Sequence, residues 1–379
     1  MATIITIFIY LSNIINALLK KHSKFLLLLM IALLWGLMGA NTQNPDIYAY
    51  QISYADTRLG SLEVGYWALK RLFFSFGFEY AAFRMIISAL GILLIHHTVK
   101  RLTDNCSAFY LFYFIYPFMM DVVQIRNFLA MAIFIFAVPY LMSDRKRDIL
   151  KYLLLIIIAA SVQTMAIFYL PLLVFIRMKK SVLFKILLIE GIIFLILISL
   201  NRSVLNSFSQ ILINTIGSYD DRIAIFAYRQ TNLGFLLFWF MQFANFLLIY
   251  WANRYYEPAK NNQSSSKRIV RGMYNNPLEI NNLQHKYIVL MFWINAYAFL
   301  FLPFYVFQST FSRFMRNIIP LNLLAYIVVG QTLSSKSVKK YLFIITCFGY
   351  NLFLFYINIY KLYSENIVEA IFKYNWIFR

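Results

Sequence analysis

Carboxylates and aromatic rings are concentrated in one segment of the chain, residues 41–78. Its acids include Asp46 and Glu63, and its aromatic residues include Tyr48 and Tyr50. Aromatic faces stack on sugar rings, and a carboxylate accepts hydrogen bonds from sugar hydroxyls or takes a proton as a general base. The segment therefore predicts a carbohydrate site. The same residues also suit an aromatic belt at a membrane surface with solvated charges.

A second candidate site is the stretch Asp121–Asn127, in which Gln124, Arg126 and Asn127 lie between two apolar runs. A guanidinium at that depth is costly unless an anion pairs with it, and its planar fork matches phosphate oxygens. The pattern predicts a phosphate site at Arg126. The structural alternative is an ion pair between Arg126 and Asp121 that fixes the turn.

Two further pairs carry side chains of the same types. Arg313 and Arg316 are three residues apart, so a helix would place them on one face, where they could share an anion or extend to lipid headgroups. Asp221 and Arg222 belong to the segment 201–230. An acid there could bind a sugar or act as a base, although adjacent acids in a loop are more often only solvated.

These residues are embedded in a strongly apolar chain. Of its 379 residues, 61% are hydrophobic and 13% are charged, and the mean hydropathy is +0.67. This composition excludes a water-soluble domain. The net charge of +20 is dispersed between apolar runs, which favours topology signals and anionic lipids over nucleic acid. Cys106 and Cys347 lie in apolar stretches, so neither a disulfide framework nor a zinc site is expected.

The apolar runs predict one integral membrane domain over residues 1–379, an all-α polytopic transmembrane bundle of about 10 spans. A helix needs about 20 residues to cross the hydrocarbon core. The predicted spans are 3–19, 25–40, 79–99, 106–120, 127–142, 182–200, 231–252, 287–307, 317–333 and 341–360. Two apolar pieces between 149 and 176, joined near Gln163, predict two short helices or a re-entrant hairpin.

Basic clusters predict the orientation of the bundle. The clusters 145–147 and 177–180 flank the paired apolar pieces, and both are expected to be cytoplasmic. Segments 41–78 and 201–230 then fall outside together with both termini. The polar, basic segment 253–286 becomes a cytoplasmic linker.

The same orientation predicts the environment of smaller features. Residues 62–78 suit a short amphipathic helix at the membrane surface, with Lys70 and Arg71 facing the headgroups. All histidines fall on the cytoplasmic side, so none is expected to act as a base outside; they are His22, His96, His97 and His285.

Several motifs occur in a recognisable order along the chain. They are Asp46-Ile47-Tyr48-Ala49-Tyr50, Glu63 with Gly65-Tyr66, the run from Gln124 to Ala130, the hairpin from Ala159 to Pro171, and the run from Arg313 to Asn317. Together they resemble the EpsG-like family of Wzy-type polysaccharide polymerases over most of the chain. The resemblance implies a GT-C-like fold in the bacterial cytoplasmic (inner) membrane, with the active site facing outside.

The resemblance also implies a reaction. A growing glycan would pass from its undecaprenyl diphosphate carrier to the next lipid-linked repeat unit, giving O-antigen, capsule or exopolysaccharide without a metal, nucleotide sugar or other cofactor. The implied partners are membrane lipids, a chain-length regulator and a flippase, with no nucleic acid.

Roles for individual residues follow from the same resemblance. Arg126 would hold the departing diphosphate with help from Arg313 or Arg316, and Asp46 or Glu63 would orient or deprotonate the acceptor hydroxyl. The expected substrate-binding residues are Tyr48, Tyr50, Gln124, Asn127, Gln163, Asp221, Arg222, Arg313 and Arg316. Family members usually carry a His where this chain has Gln163, and Gln cannot take a proton. The identity of the base is therefore open.

Three other functions share some of these features. A flippase or transporter for lipid-linked oligosaccharide would also need a basic cavity, but it should show repeated halves, and no repeat is evident. A ligase that transfers finished glycan would use the same arginines. A membrane acyltransferase would need a His in or near the membrane as its base.

Overall fold

The structure is a computed structural model that describes residues 1–19, 22–56, 63–199, 234–256, 277–307, 312–333 and 337–378. The regular elements among these residues are all helices, with no strand. The α-helices are α1 Ala2–Leu18, α2 Lys24–Gly39, α3 Ile47–Ala55, α4 Val64–Ser75, α5 Tyr80–Leu102, α6 Cys106–Ile115, α7 Phe118–Val123, α8 Ile125–Ala137, α9 Lys146–Val162, α10 Leu172–Phe175, α11 Lys180–Ser199, α12 Gly234–Tyr255, α13 Pro277–Ala298, α14 Phe304–Phe307, α15 Ser312–Thr332, α16 Val338–Phe355, α17 Lys361–Tyr363 and α18 Ala370–Lys373.

Within the described ranges, four helical stretches are long and apolar enough to cross a membrane: Tyr80–Leu102, Ile125–Met142, Phe235–Tyr255 and Val338–Tyr360. Shorter apolar helices are Ala2–Leu18, Lys24–Gly39, Cys106–Ile115 and Thr164–Phe175. Because water is absent from the hydrocarbon core, a helix that satisfies its own backbone suits such sequences. The helices indicate an integral membrane protein, and the full set of about 10 spans stays a prediction.

Two predicted elements differ from the structure. The span 106–120 is not one helix, because α6 ends at Ile115 and α7 begins at Phe118. Pro117 separates them and has no N–H to continue the helical hydrogen bonds. The predicted linker 253–286 is also shorter at both ends, since α12 continues to Tyr255 and α13 begins at Pro277. Proline suits the first turn of a helix, where its missing N–H costs nothing.

The hairpin between 149 and 176 is asymmetric. α9 is a full helix of 17 residues that ends at Val162, and Gln163 then adopts an extended conformation. The returning arm is a tighter 3₁₀ segment, Thr164–Tyr169, followed by α10. The Tyr152 hydroxyl donates to the Tyr169 carbonyl oxygen at 2.7 Å, so the returning arm lies alongside α9. Gln163 is therefore at the tip of the hairpin.

The chain forms two compact units, one of Met1–Leu170, Ala252–Val289 and Pro320–Arg379, the other of Pro171–Trp251 and Leu290–Ile319. In the first unit, α8 packs against α5 and α9, and α5 packs against α2. Ile125–Met142 is the most enclosed of the four long apolar stretches, with 78% of its residues buried. Its N-terminal turn carries Arg126, so this guanidinium begins the central helix of the unit.

Aromatic contacts join elements within the second unit. The rings of Phe301 and Phe314 stack with their centroids 4.0 Å apart, and Phe175 meets Tyr297 edge to face at 5.0 Å. The Trp239 indole N–H donates to the Leu302 carbonyl oxygen at 2.9 Å.

The two ends of the first unit are fixed by different polar contacts. At one end, Thr103 donates to Gln331 at 2.8 Å, and Gln284 donates to the Leu102 carbonyl oxygen at 2.8 Å. At the other end, the Asn375 amide donates to the Gly36 carbonyl oxygen at 2.9 Å. The predicted basic segment near Lys100 and the predicted outer segment after Gly39 therefore lie at opposite ends of the unit.

Candidate functional site

The guanidinium of Arg126 joins three segments that are distant in sequence. Its Nη1 forms an ion pair with Glu63 Oε2 at 2.5 Å, and its Nε donates to Gln163 Oε1 at 2.9 Å. Glu63 Oε1 also accepts a hydrogen bond from the Thr164 backbone N–H at 3.3 Å. Glu63 is only 4% exposed. The structure thus brings three of the predicted site residues, Glu63, Arg126 and Gln163, into one cluster.

The local fold explains why Arg126 lies where it does. α7 ends at Val123 and α8 begins at Ile125, so Arg126 is in the first turn of a 13-residue helix. The free N–H groups and positive dipole of a helix N-terminus favour an anion. A cation placed there adds to the same field, and the Glu63 carboxylate supplies the matching negative charge. An external anion with phosphate-like oxygens could take the place of that carboxylate.

Glu63 reaches Arg126 because α4 and α9 approach closely at Gly65. A Cβ added to Gly65 would overlap the side chain of Ser161 and come within 3.1 Å of the Ser161 carbonyl carbon. Only a glycine fits at this contact. The residue therefore sets the distance between the start of α4, where Glu63 lies, and the tip of the hairpin, where Gln163 lies.

Gly65→Ala is expected to reduce activity about tenfold or more, because the overpacked contact costs about 1–3 kcal/mol and moves Glu63 away from Arg126. The measurements are polymer length in cells, the readout implied by the resemblance to polysaccharide polymerases, and the thermal unfolding temperature of the purified protein. Ser161→Gly removes the overlapping atoms, so the double variant should recover part of the lost activity.

Gly349→Ala is the matched control for this substitution, since a Cβ at Gly349 in α16 meets no atom within 4 Å. It should leave activity unchanged and favour the helix slightly. Equal activity of Gly65→Ala and Gly349→Ala would contradict the role of the close contact.

Tyr66 forms the floor of the cluster. The Arg126 Cζ and the Lys70 Nζ each lie 5.9 Å from the centre of its ring, within the range of cation–π attraction. Burial raises the pKa of Tyr66, with Tyr80 and Tyr50 raising it further while Arg126 and Arg84 oppose. The phenol therefore keeps its proton and remains a hydrogen-bond donor.

Lys70 corrects one expectation. The predicted helix over 62–78 is present as α4, and its place at the membrane surface stays a prediction. Lys70 is only 7% exposed, so it does not face outward as expected. Its ammonium donates to the Ser53 carbonyl oxygen at 2.5 Å and to the Ser53 hydroxyl at 2.7 Å, which ties α4 to α3. Burial lowers the pKa of Lys70, Asp56 opposes this effect, and Arg126 adds to it. Arg71 is exposed, and its contact with lipid headgroups stays a prediction.

Asp46 is positioned by a relay of amides that we call the C-terminal clasp, formed by Asn41, Asn44 and the backbone of residues 370–375. The Asn41 amide donates to the carbonyl oxygens of Ala370 and Tyr374, both at 3.2 Å. Asn44 donates to Asn41 Oδ1 at 2.8 Å, and the Asp46 N–H donates to Asn44 Oδ1 at 3.1 Å. The half-buried Asp46 therefore begins α3 from a fixed base, and its charge acts on Tyr80.

The other predicted site residues have varied environments. Tyr48 is 72% exposed on α3, whereas Tyr50 is half-buried and interacts electrostatically with Tyr66. Gln124 is half-buried and precedes α8, and Asn127 is buried in its first turn.

Neither of the other two predicted pairs belongs to the described part of the first unit. Arg313 and Arg316 belong to the second unit at the start of α15, where Arg313 is half-buried and Arg316 is buried. Asp221 and Arg222 lie outside the described residues. Their roles stay predictions.

The structure answers the alternative in which Arg126 pairs with Asp121, and it shows one further buried cation. Asp121, the alternative partner of Arg126, accepts a hydrogen bond from the Tyr113 hydroxyl at 2.8 Å, and the ion pair of Arg126 is with Glu63. Arg84 is a further buried cation of the same unit, with 1% exposure, and it was not among the predicted site residues. A charged residue inside the apolar stretch of α5 was the available signal.

The histidines lie away from the cluster. His96 is three turns along α5 from Arg84 and contacts the Tyr110 hydroxyl at 3.2 Å, and His22 contacts the Asn16 carbonyl oxygen at 2.8 Å. Among the described residues, no group of three or more His, Cys, Asp or Glu side chains is arranged to hold a metal ion.

Comparison with known proteins gives one match. The sequence model of the EpsG family matches residues 24–376. No curated protein and no solved structure matches the chain. The matched range includes Glu63, Arg126 and Gln163, and it covers nearly the whole chain. The protein therefore belongs to the EpsG family, a Wzy-type, polymerase-like family.

Proposed function

We propose that the protein is a polysaccharide polymerase that joins undecaprenyl-diphosphate-linked repeat units at the outer face of a bacterial cytoplasmic membrane. Membership of the EpsG family supports a polymerase-like function, broadly that of a glycosyltransferase. The observation that carries the proposal further is the Arg126 guanidinium, held by Glu63 and Gln163 at the start of a central apolar helix. Such a group suits the diphosphate that leaves during glycosyl transfer.

Arg126 binds the donor diphosphate in this mechanism. The incoming phosphate oxygens displace the Glu63 carboxylate from the guanidinium, which remains oriented by its bond to Gln163. As the bond between the anomeric carbon and the diphosphate oxygen breaks, negative charge grows on the diphosphate. The guanidinium and the N–H groups at the start of α8 stabilise that charge.

Glu63 becomes free to act as the base once it is released from Arg126. The acceptor hydroxyl oxygen forms the new glycosidic bond to the anomeric carbon, and its proton moves to the Glu63 carboxylate. Protonated Glu63 then returns the proton to solvent and pairs with Arg126 again after the diphosphate leaves. Gln163 cannot accept a proton, so its role is to position Arg126 rather than to replace a basic His.

The remaining predicted residues keep the roles that the resemblance implies. Asp46, Tyr48 and Tyr50 would bind the acceptor glycan, and Arg313 and Arg316 would assist with the diphosphate. The product would be O-antigen, capsule or exopolysaccharide. A chain-length regulator and a flippase are the expected protein partners.

The decisive test is the length of surface polysaccharide, resolved as a gel ladder, in cells that lack the gene and in cells rescued with the wild-type protein. A polymerase predicts that the ladder collapses to a single repeat unit and returns on rescue. Accumulation of the unit on its carrier inside the cell would indicate a flippase instead. A ladder of normal length that fails to reach its final acceptor would indicate a ligase.

A further inference from the structure

Arg84 is a buried cation with incomplete hydrogen bonding. Its Nε donates to the Met38 carbonyl oxygen at 2.9 Å, and its Nη2 donates to the Val122 carbonyl oxygen at 2.6 Å. Its Nη1 is buried and has no hydrogen-bond partner among the described residues. Both bonded partners are neutral carbonyls. A guanidinium that is 1% exposed and has a free donor is costly, which calls for an explanation.

Two tyrosine hydroxyls beside Arg84 share this property. The hydroxyls of Tyr66 and Tyr80 are buried; that of Tyr66 has no hydrogen-bond partner among the described residues, and that of Tyr80 interacts with the Arg84 side chain without a well-formed hydrogen bond. Tyr80 precedes Arg84 by one helical turn on α5, and the charge of Arg84 acts on both phenols. Three polar groups that lack full hydrogen bonding are therefore neighbours in one place.

This place adjoins the Arg126 cluster. Tyr66 lies between the two cations, since Arg126 is 5.9 Å from the centre of its ring and Arg84 acts on its hydroxyl. Arg84 also holds the Val122 carbonyl oxygen, near the junction from which α8 and Arg126 begin. Arg126, with 21% of its side chain exposed, lies nearer the surface than Arg84.

We propose that Arg84, Tyr66 and Tyr80 form an inner phosphate subsite behind Arg126, so that a lipid diphosphate places one phosphate on each guanidinium. This inference rests on the proposed function, because it assigns the second phosphate of the same donor. The free groups are a guanidinium N–H and two phenol O–H groups, which can all donate, and phosphate oxygens are acceptors. A diphosphate would satisfy both cations at once, whereas a monophosphate would satisfy one.

The test measures binding of undecaprenyl diphosphate and undecaprenyl monophosphate to the full-length protein in nanodiscs. The wild-type protein should bind the diphosphate at least about tenfold more tightly, because charge-assisted hydrogen bonds to the second phosphate are added. Tyr66→Phe and Tyr80→Phe remove only the free hydroxyls and keep the rings. Each should weaken diphosphate binding about tenfold and leave monophosphate binding and thermal stability unchanged.

Tyr152→Phe is the matched control, because the Tyr152 hydroxyl is already bonded to the Tyr169 carbonyl oxygen at 2.7 Å. It should lower thermal stability without changing affinity. Unchanged diphosphate binding in both Tyr66→Phe and Tyr80→Phe would overturn the subsite. An equal loss for both lipids would also overturn it, since no second phosphate would then be distinguished.

Two further comparisons separate a lipid headgroup from free phosphate, and the proposed subsite from the proposed polymerase function. Inorganic pyrophosphate and phosphate should show the same ratio of affinities as the lipids if the headgroup alone is recognised, and binding of the lipids alone would exclude a free-phosphate site. A collapsed ladder on gene deletion together with unchanged binding in the Phe variants would retain the polymerase and reject the subsite. An intact ladder on gene deletion together with impaired diphosphate binding in the Phe variants would retain the subsite and reject the polymerase.

Discussion

Glu63→Gln is expected to stop polymer growth while leaving diphosphate binding as strong as in the wild type, or stronger. The amide keeps the shape of the side chain but cannot take a proton from the acceptor hydroxyl, so turnover should fall about 100-fold or more. The Arg126 guanidinium, which is 2.5 Å from Glu63 Oε2, no longer has an internal anion to compete with phosphate. The measurements are polymer formed from purified lipid-linked repeat units and affinity for undecaprenyl diphosphate.

The two possible roles of Glu63, as the base or as a structural partner of Arg126, predict different effects of Glu63→Gln on turnover and on diphosphate binding. Glu79→Gln is the control, because Glu79 is an exposed carboxylate just before α5, and it should change neither measurement. If Glu63→Gln loses binding and turnover together, the carboxylate holds Arg126 in place rather than acting as the base. If turnover persists, Asp46 becomes the leading candidate for the base.

Arg126→Lys is expected to be almost as damaging as Arg126→Ala, with polymer formation lowered about 100-fold or more in both. An ammonium keeps the charge, but it lacks the planar fork that contacts Glu63 and Gln163 at the same time. Ladder length in the deletion strain and the amount of each variant in the membrane are the measurements. Arg71→Lys and Arg71→Ala are controls on an exposed arginine of α4, and both should support normal ladders.

Stability must be separated from chemistry for Arg126. Arg126→Ala leaves the buried Glu63 carboxylate without its ion-pair partner, which costs about 3–5 kcal/mol in comparable sites. The double variant Arg126→Gln with Glu63→Gln removes both charges and should recover most of the thermal stability. Recovery of stability without recovery of polymer would assign the loss to catalysis, whereas recovery of both would reduce the pair to a structural role.

The sequence predicted the helical membrane character well, because apolar runs of span length have few alternatives in a bilayer. It located the hairpin around Gln163 but could not choose its form, since the two arms have similar composition and differ only in packing. It also missed the division at Pro117. Hydropathy continues across that residue, whereas the helical hydrogen bonds do not.

The sequence predicted which residues belong to the candidate site, but it did not predict how they are arranged. Glu63 and Arg126 were each selected for their chemistry, yet their pairing depends on the close contact at Gly65, which no periodicity reveals. Lys70 was placed wrongly because a long side chain on an amphipathic helix can turn toward a neighbouring helix as easily as toward water. Arg84 was missed because a single cation in an apolar run resembles a topology signal.

The C-terminal clasp has a consequence for how the protein is made. Asn41 bonds to Ala370 and Tyr374 across 329 and 333 positions of the sequence, so its partners leave the ribosome long after α2. Until residues 370–375 arrive, the amide relay that leads to Asp46 lacks its anchor. The segment before α3 is therefore among the last parts of the unit to be fixed. In a nascent chain, the helix that carries Arg126 can be complete while Asp46 still lacks the hydrogen bonds that anchor it.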